Sequence, residues 1–130
     1  MNPSISFSHL LLVAGGGVAG CVLRWLAGVW LNARWSGFPL GTLLVNCIGG
    51  LLIGFALFAF ERSPNEPMRL LVVTGMLGGF TTFSSFSVES LILLQRGELL
   101  LAAGHTLAHV LGALACAAIG YRIAQAVLLV

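Results

Sequence analysis

The residues best suited to chemistry in this 130-residue sequence form one run, residues 78–89, which reads GGFTTFSSFSVE. Two glycines are followed by hydroxyl side chains interleaved with phenylalanines, and a carboxylate closes the run. Hydroxyl groups can donate hydrogen bonds to an anion, and the edges of aromatic rings carry positive partial charge. Backbone carbonyls that are freed by a break in a helix can bind a cation. The run therefore indicates an ion site.

The same run is poorly suited to a continuous helix that faces lipid. Glycines and adjacent β-branched threonines weaken a helix locally, so we expect a break here. Non-helical backbone persists at membrane depth only where protein, water or an ion satisfies it. The alternative is a kinked packing helix whose Ser and Thr side chains bond to its own backbone. Phe83 and Phe86 share one helix face, while Thr82, Ser85 and Glu89 lie on the neighbouring stripe.

Three further polar side chains stand in or beside apolar runs. Asn46 is the amide of the second run, and it can either donate to an anion or join two helices; both alternatives stay open. Glu89 and Arg24 are the ionisable groups nearest the membrane interior. Such groups are functional candidates because a charge is expensive to keep there, although they can also pair near an interface.

His105 and His109 are four residues apart and share one face of the fourth apolar run. Two histidines at this spacing can bind zinc, but the sequence provides no evident third ligand. We therefore expect them to line a pore or to pack against a neighbouring helix.

Composition identifies the elements that must position these residues. Hydrophobic residues make up 58% of the chain and charged residues 8%, and the mean hydropathy is +1.04. A water-soluble domain of this size could not cover its surface with so few charges. The net charge of +2 is too small and too scattered for a nucleic-acid surface. The sequence thus predicts an all-α membrane protein in the lipid bilayer. The whole chain, residues 1–130, should form a single four-helix transmembrane domain. The predicted spans lie at about residues 7–31, 41–60, 69–95 and 99–121.

Arginines are balanced across the four predicted spans. The side shared by the N-terminus, the second loop and the C-terminus carries Arg62, Arg69 and Arg122, and the other side carries Arg24, Arg34 and Arg96. The positive-inside rule has no asymmetry to act on, so we expect a dual-topology antiparallel homodimer.

Glycine pairs at GxxxG spacing favour close helix packing, within one chain or between two; they are Gly16 and Gly20, Gly50 and Gly54, and Gly75 and Gly79. The formal GxGxxG at residues 15–20 fits packing better than a dinucleotide site, because no βαβ unit surrounds it.

Three segments together resemble the CrcB/Fluc family of fluoride channels. They are residues 16–24 (GGVAGCVLR), 39–46 (PLGTLLVN) and 78–89. The resemblance covers essentially the whole chain, and it implies a fluoride-selective channel of the cell (inner) membrane, not an enzyme. It also implies passive export of fluoride from the cytoplasm by a dual-topology homodimer.

The resemblance further implies roles for individual residues. A structural Na⁺, which is not transported, would bind the backbone carbonyls of Gly78 and Thr81 from both subunits at the dimer centre. The ion pathway would include the pore residues Asn46, Phe83 and Phe86, the polar residues Thr82, Ser84, Ser85 and Glu89, and Arg24 near an entrance.

The fourth helix departs from the family pattern, which usually has small polar, Asn or Tyr residues along the pore side. Here His105 and His109 stand on the corresponding stripe, so we expect them to line the pathway and to make conduction depend on pH. Two other functions fit the sequence less well. A small multidrug-type exporter needs a carboxylate in its first span, and none is present there. A non-transporting membrane assembly protein would not explain why the third span contains the Thr/Ser/Phe break.

Overall fold

The computed structural model describes residues 5–33 and 38–129, and this part of the chain is helical with short connections. Arg34, which enters the charge balance above, lies outside the described residues. Four helical segments are long and apolar enough to cross a membrane: Phe7–Asn32, Leu40–Arg62, Glu66–Gln95 and Leu99–Leu128. The predicted all-α architecture with four spans is confirmed at this level.

The first two spans are single helices, α1 (Phe7–Asn32) and α2 (Leu40–Arg62). The Ser6 hydroxyl accepts a hydrogen bond from the His9 N–H and caps the start of α1. Helix α2 begins after Pro39, whose missing N–H would have no partner in a first turn in any case. At about 1.5 Å per residue, both helices exceed the ~30 Å hydrocarbon core.

The third span consists of several pieces. It contains α3 (Glu66–Arg69), a π-helical stretch (Leu70–Leu77), α4 (Gly78–Phe80) and α5 (Phe83–Gln95). The backbone leaves the helix at Thr81 (φ −77°, ψ 156°) and Thr82 (φ −149°, ψ 114°). Gly78 stays helical (φ −62°, ψ −36°). The helix is thus interrupted at the two threonines. The two glycines that begin the run do not themselves break the helix.

The fourth span, α6 (Leu99–Leu128), continues beyond the predicted end at Tyr121. Polar Arg122 and Gln125 lie beyond that predicted end, but Ala124, Ala126 and Leu128 keep helix propensity high there. Ala124 is fully buried, so the extra turns belong to the packed body of the protein.

The spans pack in two tight pairs, α1 with the first half of the third span and α2 with α6. A Cβ on Gly16 would collide with the Leu71 carbonyl, and one on Gly20 with the Met76 carbonyl. Across the other pair, a Cβ on Gly54 would collide with the Ala117 carbonyl, and one on Gly120 with the Leu51 carbonyl. These glycines therefore make close helix contacts within one chain. The GxxxG spacing had left open packing within one chain or between two, and the structure shows the former for these glycines.

Candidate functional site

The break in the third span is held by one side chain from α2. The Thr82 N–H donates to Asn46 Oδ1 over 2.9 Å, and Asn46 Nδ2 donates to the Thr82 carbonyl over 3.0 Å. The carboxamide thus replaces the acceptor that the Thr82 N–H loses at the break, and it adds a donor to the carbonyl of this N-cap residue of α5. Asn46 stands on the buried side of α2, one residue after Val45, which is 1% exposed. The helix-joining role of this amide is therefore present in the structure.

The same rearrangement removes the helical partners of two carbonyls. In a continuous helix the Thr82 N–H would reach the Gly78 carbonyl, but it donates to Asn46 instead. The Ser85 N–H would reach the Thr81 carbonyl, but it donates to Thr82 Oγ1 over 3.2 Å, which caps α5. The carbonyl oxygens of Gly78 and Thr81 are thus available to another donor or to a cation, and Gly78 is exposed on the surface of the chain.

Asn46 also contacts the fourth span. Its Nδ2 lies 3.2 Å from His109 Nδ1, and His109 is 5% exposed. His109 Nε2 is buried and is the one buried side-chain nitrogen or oxygen, among the described residues, with no hydrogen-bond partner. A buried polar group left in this state costs about 1–3 kcal/mol, so it is rarely retained without a use.

A second polar network lies one turn away along α6. His105 is fully buried, its Nε2 lies 3.2 Å from Glu89 Oε2, and its Nδ1 lies 3.0 Å from Ser90 Oγ. The Thr42 hydroxyl donates to the other oxygen, Glu89 Oε1, over 2.5 Å. The network ties α2, α5 and α6 together around one carboxylate. Ligand atoms of Glu89, His105 and His109 lie within 4.8 Å of one another, so the structure supplies the third group that the sequence did not reveal beside the two histidines.

The aromatic rings of the site pack in one continuous group. The ring centroids of Phe83 and Phe86 are 5.2 Å apart, as their shared face predicts. Phe86 is buried, stacks on His105 at 5.4 Å and packs against the tilted ring of His109 at 4.8 Å, whereas Phe83 is 76% exposed. The pair therefore extends from the interior of the chain to its surface.

Two clefts flank the start of α5, and Thr82 lines both. The first, of about 480 Å³, is lined by Asn46, Phe83, Phe86 and His109. The second, of about 650 Å³, is lined by Arg24, Thr42, Ser85 and Glu89. The residues expected along an ion pathway thus divide into an aromatic and amide group on one side and a charged and hydroxyl group on the other.

Two expected pathway residues have local roles in the described structure. Arg24 Nε donates to the Gly79 carbonyl over 3.1 Å, so the guanidinium satisfies backbone just before the break while it lines the second cleft. Ser84 is exposed, with its Oγ 3.2 Å from Thr82 Oγ1.

Sequence reasoning missed Thr42 and Ser90. Thr42 precedes Asn46 by four residues and therefore shares its helix face, which is a signal that periodicity could have used. Ser90 gave no such signal, because its contact with His105 depends on how α5 meets α6.

Comparison with known proteins agrees with this architecture. The family model for CrcB-like protein, Camphor Resistance (CrcB), matches residues 11–121. Proteins named Fluoride-specific ion channel FluC are similar over most of their length. The chain is 50% identical to that of Erwinia tasmaniensis over 114 residues (86% of this chain, 91% of the relative). It is 49% identical to that of Tolumonas auensis over 113 residues (85% and 89%) and 47% identical to that of Bordetella petrii over 128 residues (97% and 98%).

These relatives carry the name of ion channels, which agrees with the expectation of a channel rather than an enzyme. The four apolar helices and the family match together make the chain a multi-pass membrane protein. It belongs to the CrcB family.

Proposed function

We propose that this protein is a fluoride channel that lets the anion leave the cytoplasm passively and so lowers its toxicity. The observation that carries the proposal is the break at Thr81 and Thr82, which gathers hydrogen-bond donors, aromatic rings and freed carbonyls beside one cleft. The similarity to proteins named as fluoride-specific channels names the ion.

The physical requirements of fluoride suit such a site. The anion is small and strongly hydrated, so a pore must replace its water with hydrogen-bond donors. Hydroxyl groups of Thr82, Ser84 and Ser85 and the ring edges of Phe83 and Phe86 offer such contacts. Hydrogen fluoride enters cells as a neutral acid and dissociates inside, so a passive path for the anion is sufficient for export.

The active form in this proposal is an antiparallel homodimer with dual topology. Three arginines on each side of the membrane leave orientation unbiased. Phe83 and Gly78 are exposed at the break, where a lipid-facing surface would be continuous helix. A second copy would cover this surface. Reporters fused to the C-terminus should give signal from both compartments, and signal from one compartment would contradict dual topology.

A structural sodium ion at the dimer centre belongs to the same proposal. The carbonyls of Gly78 and Thr81 have lost their helical partners, and uncharged oxygens of this kind suit Na⁺. Two carbonyls from each of two subunits would surround the ion. The cation would hold the two breaks together and raise the electrostatic potential for the anion nearby.

Growth in fluoride tests the function in cells. Bacteria that lack their own fluoride exporter should tolerate more fluoride when they express this protein. Thr82→Pro, which removes the N–H that Asn46 accepts, should abolish the protection, and Leu100→Pro near the exposed start of α6 serves as a control for proline itself. Equal fluoride sensitivity of cells with and without the protein, at matched membrane expression, would contradict the proposal.

The two alternatives make different predictions. A small multidrug-type exporter would protect cells against cationic drugs, although α1 contains no carboxylate to couple protons. A non-transporting assembly protein would give neither kind of resistance.

A further inference from the structure

One ring nitrogen of His109, Nε2, has no hydrogen-bond partner in the described part of the chain and can act as a free hydrogen-bond donor beside the break. Among the described residues, Nε2 of this buried side chain is the one buried side-chain polar atom without a hydrogen bond. Its other ring nitrogen, Nδ1, contacts Asn46 Nδ2 at 3.2 Å. Which nitrogen of the neutral ring carries the proton follows from the orientation of the Asn46 amide.

The Thr82 backbone fixes that orientation. The Thr82 N–H must face an acceptor, so it faces Asn46 Oδ1 at 2.9 Å. The Thr82 carbonyl must face a donor, so it faces Asn46 Nδ2 at 3.0 Å. An amide turned by 180° would oppose donor to donor and acceptor to acceptor at both contacts. Asn46 therefore presents its second N–H to His109.

His109 Nδ1 can accept a hydrogen bond from the Asn46 N–H only if it carries a lone pair and no hydrogen. In the neutral imidazole the proton then resides on Nε2, because one nitrogen accepts while the other donates. Both hydrogens of Asn46 Nδ2 are engaged by protein atoms, the Thr82 carbonyl and His109 Nδ1. The donor without a partner is thus His109 Nε2–H.

The same tautomer disfavours a metal site in the cluster of Glu89, His105 and His109. A zinc ligand at Nε2 needs a lone pair on that atom, but the Asn46 contact places the proton there. Histidine ligands of metals also donate the other ring N–H to a partner, whereas His109 Nδ1 faces a donor. The cluster therefore suits an anion at His109 better than a cation.

We propose that His109 Nε2–H is a fluoride-selective hydrogen-bond donor of the pathway, and that Asn46 is the positioning residue that fixes its tautomer. The inference rests on the proposed fluoride conduction. His109 lines the first cleft and packs between the rings of Phe86, at 4.8 Å, and His105, at 4.5 Å. Because Nε2 is buried among these rings, a small anion reaches it with less displacement of the rings than the larger chloride ion needs. The buried donor then replaces water that the anion loses there.

Two nearly isosteric variants separate the ring nitrogens. The side-chain amide of glutamine in His109→Gln can donate from the position of Nε2, and that of asparagine in His109→Asn reaches only the position of Nδ1. Fluoride efflux from liposomes should stay close to wild type in His109→Gln and fall by about tenfold or more in His109→Asn, as loss of one hydrogen bond to an anion at a barrier predicts. Equal efflux of the two variants, both intact by size-exclusion chromatography, would overturn the proposal.

Nitrogen NMR of ¹⁵N-histidine-labelled protein gives a readout that does not depend on transport. At neutral pH the His109 signals, assigned by their absence from His109→Asn, should show a protonated Nε2 and an unprotonated Nδ1. Fluoride should shift the Nε2 signal, while the signals of His9 near the helix start should not move. A proton on Nδ1, or no response to fluoride, would contradict the assignment.

The outcomes of these experiments also distinguish the assignment of the His109 donor from the proposed channel function on which it rests. Wild-type protein without fluoride efflux would defeat the proposed channel function itself. Wild-type efflux with equal His109→Gln and His109→Asn variants would defeat only the donor assignment. Block of wild-type efflux by low zinc, relieved in His109→Gln, would assign the cluster to a metal and overturn the donor assignment as well.

Discussion

Asn46 and Thr82 hold each other through two reciprocal hydrogen bonds, Thr82 N–H to Asn46 Oδ1 at 2.9 Å and Asn46 Nδ2 to the Thr82 carbonyl at 3.0 Å. A single side chain from α2 thereby bonds both backbone groups of the extended residue at which α5 begins. The remaining N–H of the amide reaches His109, so the break, the second span and the fourth span form one polar unit.

Asn46→Asp tests the amide as a donor. A carboxylate can still accept from the Thr82 N–H, but it has no hydrogen for the Thr82 carbonyl or for His109 Nδ1. We expect a loss of about 2–3 kcal/mol in the free energy of unfolding, since the Thr82 carbonyl loses one donor and a charge enters a half-buried position, and a fluoride flux at least about tenfold lower.

Asn32→Asp provides the matched control for that change. Asn32 Oδ1 accepts from the Gly41 N–H over 2.8 Å, and a carboxylate can keep this bond. The melting temperature of the control should stay near that of the wild type. Equal losses in the two variants would show that a new charge, rather than the missing donor, is responsible.

Thr42→Val tests the support of Glu89. The substitution keeps the shape of the side chain but removes the hydroxyl that donates to Glu89 Oε1. The carboxylate oxygen loses its donor in a half-buried position, so the free energy of unfolding should fall by about 1–3 kcal/mol. Thr106→Val on an exposed face of α6 should change it by less than about 0.5 kcal/mol. Similar unfolding curves for the two valine variants would argue against the network.

Glycine substitutions test the packing of the helix pairs. In Gly54→Ala a Cβ meets the Ala117 backbone, which cannot move aside as a flexible side chain can. Overpacking of this kind costs about 1–3 kcal/mol, so the melting temperature should fall. Gly104→Ala has open space and should be neutral or stabilising, by up to about 1 kcal/mol in a helix. A stabilised Gly54→Ala protein would contradict the close contact of α2 with α6.

Sodium removal tests the proposed ion at the break. In the proposed dimer the Gly78 and Thr81 carbonyls would face one another without a cation, so replacing Na⁺ by N-methylglucamine should lower the melting temperature of the protein and its fluoride flux. Chloride concentration and ionic strength are held constant. A dimer whose melting temperature does not depend on Na⁺ would remove the structural ion from the account.

Acid pH tests the state of His109. Protonation places a hydrogen on Nδ1, which then opposes the N–H of Asn46, and Glu89 and His105 are the titratable groups that face it from α5 and α6. We expect fluoride flux per protein to change between neutral and acid pH in the wild type and to change less in His109→Gln. The same pH response in both proteins would assign the titration to the pair formed by His105 and Glu89 or to the anion itself.

The sequence was sufficient for the parts of the fold that hydropathy controls. Four apolar runs with few charges predict four spans, and adjacent threonines predict a break. The π-helical stretch of the third span could not be predicted, because it depends on how the span packs against α1. The end of α6 at Leu128 could not be predicted either, since Arg122 at a membrane edge does not by itself end a helix.

The residues of the candidate site could be selected from the sequence, but their contacts could not. The residue types of Asn46, Phe86 and His109 indicated ion chemistry, yet the partner of each lies in another span. Only the three-dimensional arrangement shows that Glu89 meets His105 and that both hydrogens of Asn46 are engaged. Spacing along one helix carries no information on the rotation of its neighbour, so these pairings required the structure.

Fluoride efflux from liposomes that hold the purified protein tests the central claim most directly. Vesicles loaded with sodium fluoride or sodium chloride are diluted into a solution without either anion, and an ion-selective electrode follows each anion after a sodium ionophore lets Na⁺ leave and balance the charge. The account predicts rapid fluoride release, no chloride release above that of empty vesicles, and loss of fluoride release in Asn46→Asp. Absence of fluoride release, or equal release of chloride, would contradict it.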